Sequence, residues 1–220
     1  MDFTFDFNLV WRIKDYLLAG IVFTSQVTLY SLIPALAIGL VVAILTLSKK
    51  WFVSVPAQFY VEFFRNTPAL VLLLWVYYAL PLFLPVDFTA LTSCVIALGM
   101  NSAAYMAEVF RAGIQSVDKG QIEAARSLGM SHFQTMRKIV LPHAVRTMMP
   151  PFVNQTISLV KWSSLVSVVG LADLTYRAQL LSTKFFRPIE IFTFVAVIYF
   201  LLCGTLAYFS RYLEKRLAIK

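Results

Sequence analysis

Few side chains in this 220-residue sequence could do nucleophilic, acid–base or metal chemistry. His132 and His143 are far apart and have no cysteine nearby, so their spacing does not match a metal site. Cys94 and Cys203 each lie inside an apolar run, which favours apolar packing over a disulfide. No glycine precedes a lysine, so the phosphate-binding pattern Gly-x-x-x-x-Gly-Lys-[Ser/Thr] is missing. We expect no catalytic residue, and no metal or cofactor held by this chain.

The most unusual charge is Lys161, which interrupts an otherwise uncharged stretch between residues 147 and 172. A charge near the centre of a membrane-spanning helix costs about 2.5–3.5 kcal/mol on insertion scales. Something must offset that cost, and a substrate carboxylate and a structural partner at a subunit interface are both open. Such a polar helix should face protein or a water-filled cavity, unless its polar groups only join neighbouring helices. The candidates for a substrate path are Asn154, Ser158, Lys161, Ser163 and Ser164.

The composition indicates that lipid surrounds the elements holding these residues. The chain is 60% hydrophobic and 14% charged, whereas soluble domains are about half apolar and a quarter charged. A helix needs about 20 apolar residues to cross a bilayer. The sequence therefore predicts an all-α integral membrane protein with five transmembrane helices. Their expected limits are about 22–47, 62–84, 88–110, 148–171 and 190–211.

The lysines and arginines predict how the chain is oriented. One set of connections, which includes Lys49, Lys50 and the 108–146 segment, holds twelve of them, and the other set holds five. The richer set should be cytoplasmic. The N-terminal segment 1–19 is then extracytoplasmic, and the C-terminus is cytoplasmic. The net charge of +8 is a topology signal of this kind, so we expect the lipid bilayer as a partner and no nucleic acid.

The segment between the third and fourth predicted spans has the signals of two short helices. Asp118 can cap the first helix, and Gly129 suits its left-handed end. Ser131 and Gln134 form a capping box for the second helix, which Pro142 should stop.

Neither of these helices is apolar enough to span a membrane. Their faces mix small residues such as Ala124 and Ala125, apolar residues such as Leu128 and Phe133, and charges. This mixture suits docking into a groove on a partner protein. A helical hairpin lying on the membrane surface is the alternative, and the physical argument alone leaves both open.

Several blocks of sequence resemble a known protein family, and this resemblance favours docking on a partner protein over a hairpin on the membrane surface. Within 118–142 they are Gly120-Gln121, Glu123-Ala124-Ala125, Leu128-Gly129, Ile139 and Leu141-Pro142. Outside it they are the block 64–68 (FRNTP), the block 104–114 (AYMAEVFRAGI) and the block 161–165 (KWSSL). Together they resemble the permeases of ATP-binding-cassette (ABC) importers in the polar amino-acid branch, with an "EAA" coupling loop at 118–142. The resemblance covers about residues 20–215.

The resemblance implies the transmembrane domain of a type I ABC importer, located in the bacterial cytoplasmic (inner) membrane. It implies three kinds of partner: a cytoplasmic ABC ATPase dimer carrying ATP and Mg, a second permease of the same or a homologous chain, and a periplasmic or extracellular amino-acid-binding protein. The chain itself would not be an enzyme. The residues that would couple it to the ATPase are Gln121, Glu123, Ala124, Ala125, Leu128 and Gly129.

Two charged pairs with a spacing of three residues flank the predicted spans. Glu62 with Arg65, and Glu108 with Arg111, should each form a local ion pair on one helical face, worth a few tenths of a kcal/mol. We take Arg65, Pro68, Glu108 and Arg111 as structural or gating candidates.

The substrate is the least determined feature. Relatives often have an acidic residue and a threonine where this chain has Trp162 and Ser163, and a glycine where it has Asn66. The loss of that acidic residue and the presence of Lys161 favour glutamate or aspartate among polar amino acids. Neutral or basic amino acids are alternatives. A secondary transporter is a rival from another class, although no internal repeat is visible.

Overall fold

A computed structural model describes residues 5–84 and 86–217, and every regular element within these ranges is a helix. This confirms the all-α part of the prediction. The α-helices are α1 Phe7–Thr46, α2 Trp51–Asn66, α3 Ala69–Leu74, α4 Leu80–Phe83, α5 Ala90–Gln115, α6 Lys119–Ser127, α7 His132–Thr135, α8 Leu141–Trp162, α9 Leu174–Phe185 and α10 Pro188–Leu217. Three further helical segments are the π-helical turns Trp75–Ala79 and Met136–Val140 and the 3₁₀ helix Ser163–Val169.

The helices that could cross a membrane number between three and five within the described ranges. Phe7–Thr46, Ala90–Gln115 and Pro188–Leu213 are each long and apolar enough alone. Two pairs of helices pass the same test only together, and each pair is bent at a short break: Trp51–Asn66 with Ala69–Phe83, and His132–Val169 with Leu174–Phe185. The count is five if each bent pair is one span.

Helix α1 begins well before the predicted limit of its span. Asp6 precedes it and accepts a hydrogen bond from the backbone N–H of Leu9 at 3.1 Å, as a residue near a helix start can do. Leu9, Ile13 and Leu17, at four-residue spacing, are buried in one core cluster. Residues 7–19 are therefore helical because this apolar stripe packs against α9 and α10.

The described residues fall into two compact units. The first unit comprises those within 1–33, 67–99 and 157–205. Gly20 allows α1 to approach the start of α9 closely, since a Cβ there would lie 2.7 Å from the Cα of Leu174. The backbone N–H of Leu174 also donates to Oγ1 of Thr24 at 3.3 Å. These contacts join α1 and α9 within the unit.

The second unit comprises the described residues within 34–66, 100–156 and 206–220. Its core contains Val42, Ala43, Ala57, Val61 and Ala107, from α1, α2 and α5. Two side chains fasten α2 to α5 by hydrogen bonds to backbone carbonyls: the Tyr60 hydroxyl donates to Met100 O at 2.8 Å, and Asn101 Nδ2 donates to Phe64 O at 2.6 Å. The second unit also holds the 118–142 segment.

Candidate functional site

The turn between α6 and α7 is closed by the local signals that the sequence contains. Asp118 accepts a hydrogen bond from the N–H of Gly120 at 2.7 Å. Gly129 has φ +76°, and the N–H groups of Gly129 and Met130 donate to the carbonyls of Arg126 and Ala125 at 2.9 and 3.1 Å. This is a Schellman ending, in which two otherwise unpaired carbonyls are satisfied. The predicted cap and the left-handed glycine are confirmed.

Helix α7 begins with the predicted capping box. The N–H of Gln134 donates to Oγ of Ser131 at 3.2 Å, and the N–H of Ser131 donates to Oε1 of Gln134 at 2.9 Å. The two residues thus satisfy each other's backbone donors. We call residues 118–142 the coupling segment.

The prediction that Pro142 stops the second helix is wrong. A π-helical turn, Met136–Val140, follows α7 directly, and α8 continues from Leu141 to Trp162. Pro142 therefore lies inside a continuous helical run, just after the π-helical turn. A proline within a helix lacks one N–H donor and crowds the carbonyl of the preceding turn, and the wider turn at Met136–Val140 gives its ring more room. In the wider turn the N–H of Leu141 bonds to Met136 O, and such π turns commonly accommodate local strain within longer helices.

The coupling candidates differ in exposure. Gln121, Glu123, Ala124, Leu128 and Gly129 are exposed, whereas Ala125 is buried. Leu128 is the most prominent of them, because 82% of its surface is accessible. Phe133, on α7, is 70% accessible and was not among the predicted site residues. Two large, exposed apolar side chains on this pair of short helices are typical of a docking surface.

The polar residues of the fourth predicted span divide into two groups. Asn154 and Lys161 are exposed and Ser158 is half-buried. Ser158 and Lys161, three residues apart within the first unit, lie on one face of α8. Among the described residues, no carboxylate lies within ion-pair distance of Lys161. Asn154 belongs to the second unit, and the role of the three residues in a substrate path stays a prediction.

The other two path candidates bond to the backbone of their own helix. Ser163 is buried, and its hydroxyl donates to Val160 O at 2.7 Å. Ser164 is half-buried, and its hydroxyl donates to Lys161 O at 2.7 Å. They lie where α8 ends and the 3₁₀ helix Ser163–Val169 begins. Their hydroxyl groups therefore donate to backbone carbonyls at the point where the helical hydrogen-bond pattern changes.

Three of the four gating candidates meet in the second unit. Glu108 accepts two hydrogen bonds from Arg111, at 3.1 Å from Nε and 2.8 Å from Nη2, which confirms the predicted local pair. Arg65 Nη1 lies 3.7 Å from the same carboxylate. The predicted pair between Glu62 and Arg65 is wrong: the Tyr105 hydroxyl donates to Arg65 O at 3.3 Å, so the end of α2 lies against α5 and Glu108 is the nearer carboxylate.

Pro68, the fourth gating candidate, lies at the N-terminus of α3. Its carbonyl accepts the N–H of Leu72 at 3.1 Å. Proline suits a helix start, because its fixed φ matches the backbone there. Pro68 therefore marks the break that interrupts the second predicted span.

A polar cavity of about 420 Å³ adjoins Arg65, Glu108 and Arg111 in the second unit. It is larger than a single amino acid and within the usual size of small-molecule sites. No sequence pattern reveals this cavity, because its lining residues come from three separate helices. They are Thr46, Gln58, Val61, Glu62, Arg65, Glu108, Arg111 and Gln115.

Comparison with known proteins shows which family this chain is similar to. Residues 35–219 match the family described as the binding-protein-dependent transport system inner membrane component. A probable amino-acid ABC transporter permease of Bacillus subtilis strain 168 is 36% identical over 99% of this chain and 96% of its own length. The glutamine transport system permease of Escherichia coli K12 is 35% identical over 98% of this chain and 99% of its own length.

Solved structures agree with these relatives. A crystal structure of an amino acid ABC transporter with histidines superposes with a TM-score of 0.91, at 37% identity, over 97% of this chain and 100% of the other. An inward-facing methionine ABC transporter has a TM-score of 0.74 at 17% identity, over 97% of this chain and 100% of the other, and shares the fold.

The all-helical fold and these similarities define a membrane-spanning transporter subunit of the ABC permease class, in which ATP hydrolysis belongs to a separate subunit. The chain belongs to the family of binding-protein-dependent transport system inner membrane components. This confirms the resemblance seen in the sequence and removes the secondary-transporter alternative.

Proposed function

We propose that this chain is the permease subunit of an ABC importer for polar amino acids. The observation that carries the proposal is the similarity to amino-acid and glutamine permeases over nearly the whole chain. The structural neighbour that contains histidines supports the same substrate class.

The assembly that we propose follows the family. Five spans, with each bent pair counted as one, lie in the bacterial cytoplasmic membrane, with the N-terminus outside and the coupling segment and C-terminus in the cytoplasm. A second permease, of the same or a homologous chain, completes the path, and an external binding protein delivers the amino acid. An ABC ATPase dimer binds ATP and Mg and docks on the coupling segment.

The chemistry of the coupling segment supports this role. Leu128 and Phe133 are exposed on either side of a turn that is closed by a Schellman ending and a capping box. The exposed apolar side chains can bury surface on a partner, and the closed turn holds them in a fixed position. ATP can then drive reorientation of the spans only if the ATPase binds one orientation of the segment more tightly than the other.

Glutamine is the first substrate to test, because the named relatives include glutamine permeases. Glutamate and aspartate are a second candidate, favoured by the exposed Lys161 on α8. In a site that excludes water, a lysine attracts an anionic side chain and repels a cationic one.

Uptake assays test both candidates. The permease, its ATPase and its binding protein are reconstituted into proteoliposomes, and uptake of radiolabelled glutamine, glutamate and arginine is compared. Lys161→Met should lower the glutamate-to-glutamine ratio, whereas Lys184→Met, which removes an exposed lysine of α9, should leave it unchanged. If Lys161→Met leaves the ratio untouched, the acidic assignment loses its basis. Arginine taken up best would contradict the substrate class proposed here.

A further inference from the structure

The cavity of the second unit is chemically unlike an ordinary helix–helix groove. Seven of its eight lining residues are polar or charged, and they include two carboxylates and two guanidinium groups. Opposite charges around one cavity of about 420 Å³ are suited to a small ligand that carries both signs. Sites of this kind orient a ligand by a few polar groups in fixed positions.

The four charged groups differ in how many hydrogen bonds they form with other side chains. Arg111 forms two hydrogen bonds with Glu108 and a third with Oε1 of Gln115 at 3.1 Å. Arg65 lies 3.7 Å from Glu108, which is beyond hydrogen-bond distance. Its guanidinium also lies 5.4 Å from the ring centroid of Tyr105, and 43% of its side chain is accessible. Arg65 therefore has N–H donors at the cavity that are not hydrogen-bonded to Glu108.

Glu62 lies one helical turn before Arg65 on α2 and lines the same cavity. The two side chains do not pair with each other, because Arg65 extends toward α5. Neighbours at this spacing have Cβ atoms about 5–6 Å apart. The α-carboxylate and α-ammonium groups of an amino acid are joined through a single carbon and can reach two such side chains at once.

We propose that this cavity is an amino-acid-binding site that recognises the α-carboxylate through Arg65 and the α-ammonium through Glu62. The planar guanidinium matches a carboxylate in two parallel hydrogen bonds, and the Glu62 carboxylate accepts from the ammonium. The proposal rests on the proposed function, since it takes amino acids as the transported class. It adds that this site reads the groups common to all amino acids, whereas side-chain selection belongs elsewhere.

The test measures binding of L-glutamine to the purified permease–ATPase complex, without binding protein, by equilibrium dialysis. N-acetyl-L-glutamine lacks the α-ammonium and L-glutamine α-amide lacks the α-carboxylate. On the wild-type complex each should bind about tenfold more weakly than L-glutamine, which corresponds to about 1.4 kcal/mol. L-Serine, which keeps both α-groups, should bind within about threefold of L-glutamine, a difference of less than 1.4 kcal/mol.

Variants distinguish recognition from a general loss of structure. Glu62→Gln should weaken L-glutamine binding and abolish the penalty for N-acetylation, while it leaves the penalty for amidation intact. Arg65→Gln should show the reverse pattern. Arg12→Gln and Asp15→Asn neutralise an exposed pair at the same spacing on α1 and should change nothing.

The site would be overturned if N-acetylation and amidation each weaken binding by the same factor in both variants as in the wild-type complex. Failure of L-glutamine to bind to the wild-type complex would also overturn it. A complex that imports glutamine yet shows either result would refute this site alone. Absence of amino-acid uptake by the wild-type system would refute the proposed function instead.

Discussion

Gly129 separates the two helices of the coupling segment in a backbone conformation that other residues adopt only at a cost. Its φ is +76°, and a Cβ at this position would meet nothing within 4 Å. Glycine is therefore required at this position because of the backbone conformation, and contacts with neighbouring residues play no part. An L-residue in the left-handed region loses roughly 1–2 kcal/mol, and asparagine tolerates the region best.

Gly129→Val should therefore loosen the turn and lower both ATPase co-purification and transport, while Gly129→Asn should retain most of both. The β-branched side chain is poorly compatible with a positive φ, whereas asparagine can adopt it. Co-purification from membranes with a tag on the permease, followed by uptake, gives the two readouts. A Gly129→Val variant that matches wild type in both would show that this turn does not transmit the movement.

Leu128 and Phe133 are the side chains through which the coupling segment would bury apolar surface on the ATPase. Burial of one such side chain contributes about 1.5–3 kcal/mol. Leu128→Asp and Phe133→Asp should each reduce ATPase association, because a carboxylate in a dry interface lacks a partner. Ser127→Asp, which places the same charge at an exposed neighbour, is the control. Association that is equally strong in all three variants would assign the docking surface to other residues.

At the scale of elements, Gly39 sets how closely α1 approaches α5 in the second unit. A Cβ on Gly39 would lie 2.7 Å from Cβ of Met106, a side chain that is fully buried, and 3.0 Å from Ala103 O. Neither atom can withdraw without moving α5. The contact belongs to the same packing that brings Arg65, Glu108 and Arg111 together.

Gly39→Val should lower the thermal stability of the purified permease, because overpacking a filled contact costs about 1–3 kcal/mol. Gly204→Val is the matched control on α10, since a Cβ there meets nothing within 4 Å. Both changes place valine within a helix, so their difference isolates the contact. Equal thermal shifts in the two variants would mean that α1 and α5 are not in close contact at Gly39.

Elements with short-range signals could be predicted from the sequence. Asp118, Gly129 and the Ser131–Gln134 box act within a few residues, so the sequence alone predicts their structural roles. The stop predicted at Pro142 is wrong, because the π-helical turn Met136–Val140 lies just before it and lets the helix continue. Arg65 was misassigned because its nearer carboxylate, Glu108, comes from a different helix. The cavity and the early start of α1 likewise depend on contacts between distant segments.

For the whole molecule, the proposed orientation rests on the asymmetry of twelve against five basic residues between the two sets of connections. Lys119 at the start of α6 and Lys184 near the end of α9 are both exposed. They lie in connections that the proposed topology places on opposite sides of the membrane. Each is therefore a useful reporter position.

Single cysteines at these two positions, in a background with Cys94 and Cys203 replaced by serine, should respond differently to an impermeant thiol reagent on intact cells. The position in α9 should react from outside, and the position in α6 should react only after permeabilisation. Replacement of a lysine changes local charge little compared with the asymmetry that sets orientation. Labelling of the α6 position alone on intact cells would reverse the proposed topology.

The central claim is that this chain moves an amino acid only when ATP is hydrolysed by a partner. The most direct measurement is initial uptake of radiolabelled L-glutamine into proteoliposomes holding the permease and its ATPase, with binding protein outside. ATP and Mg inside should support uptake, and ADP inside, or omission of the binding protein, should abolish it. Uptake that persists with ADP and follows an ion gradient would contradict the account.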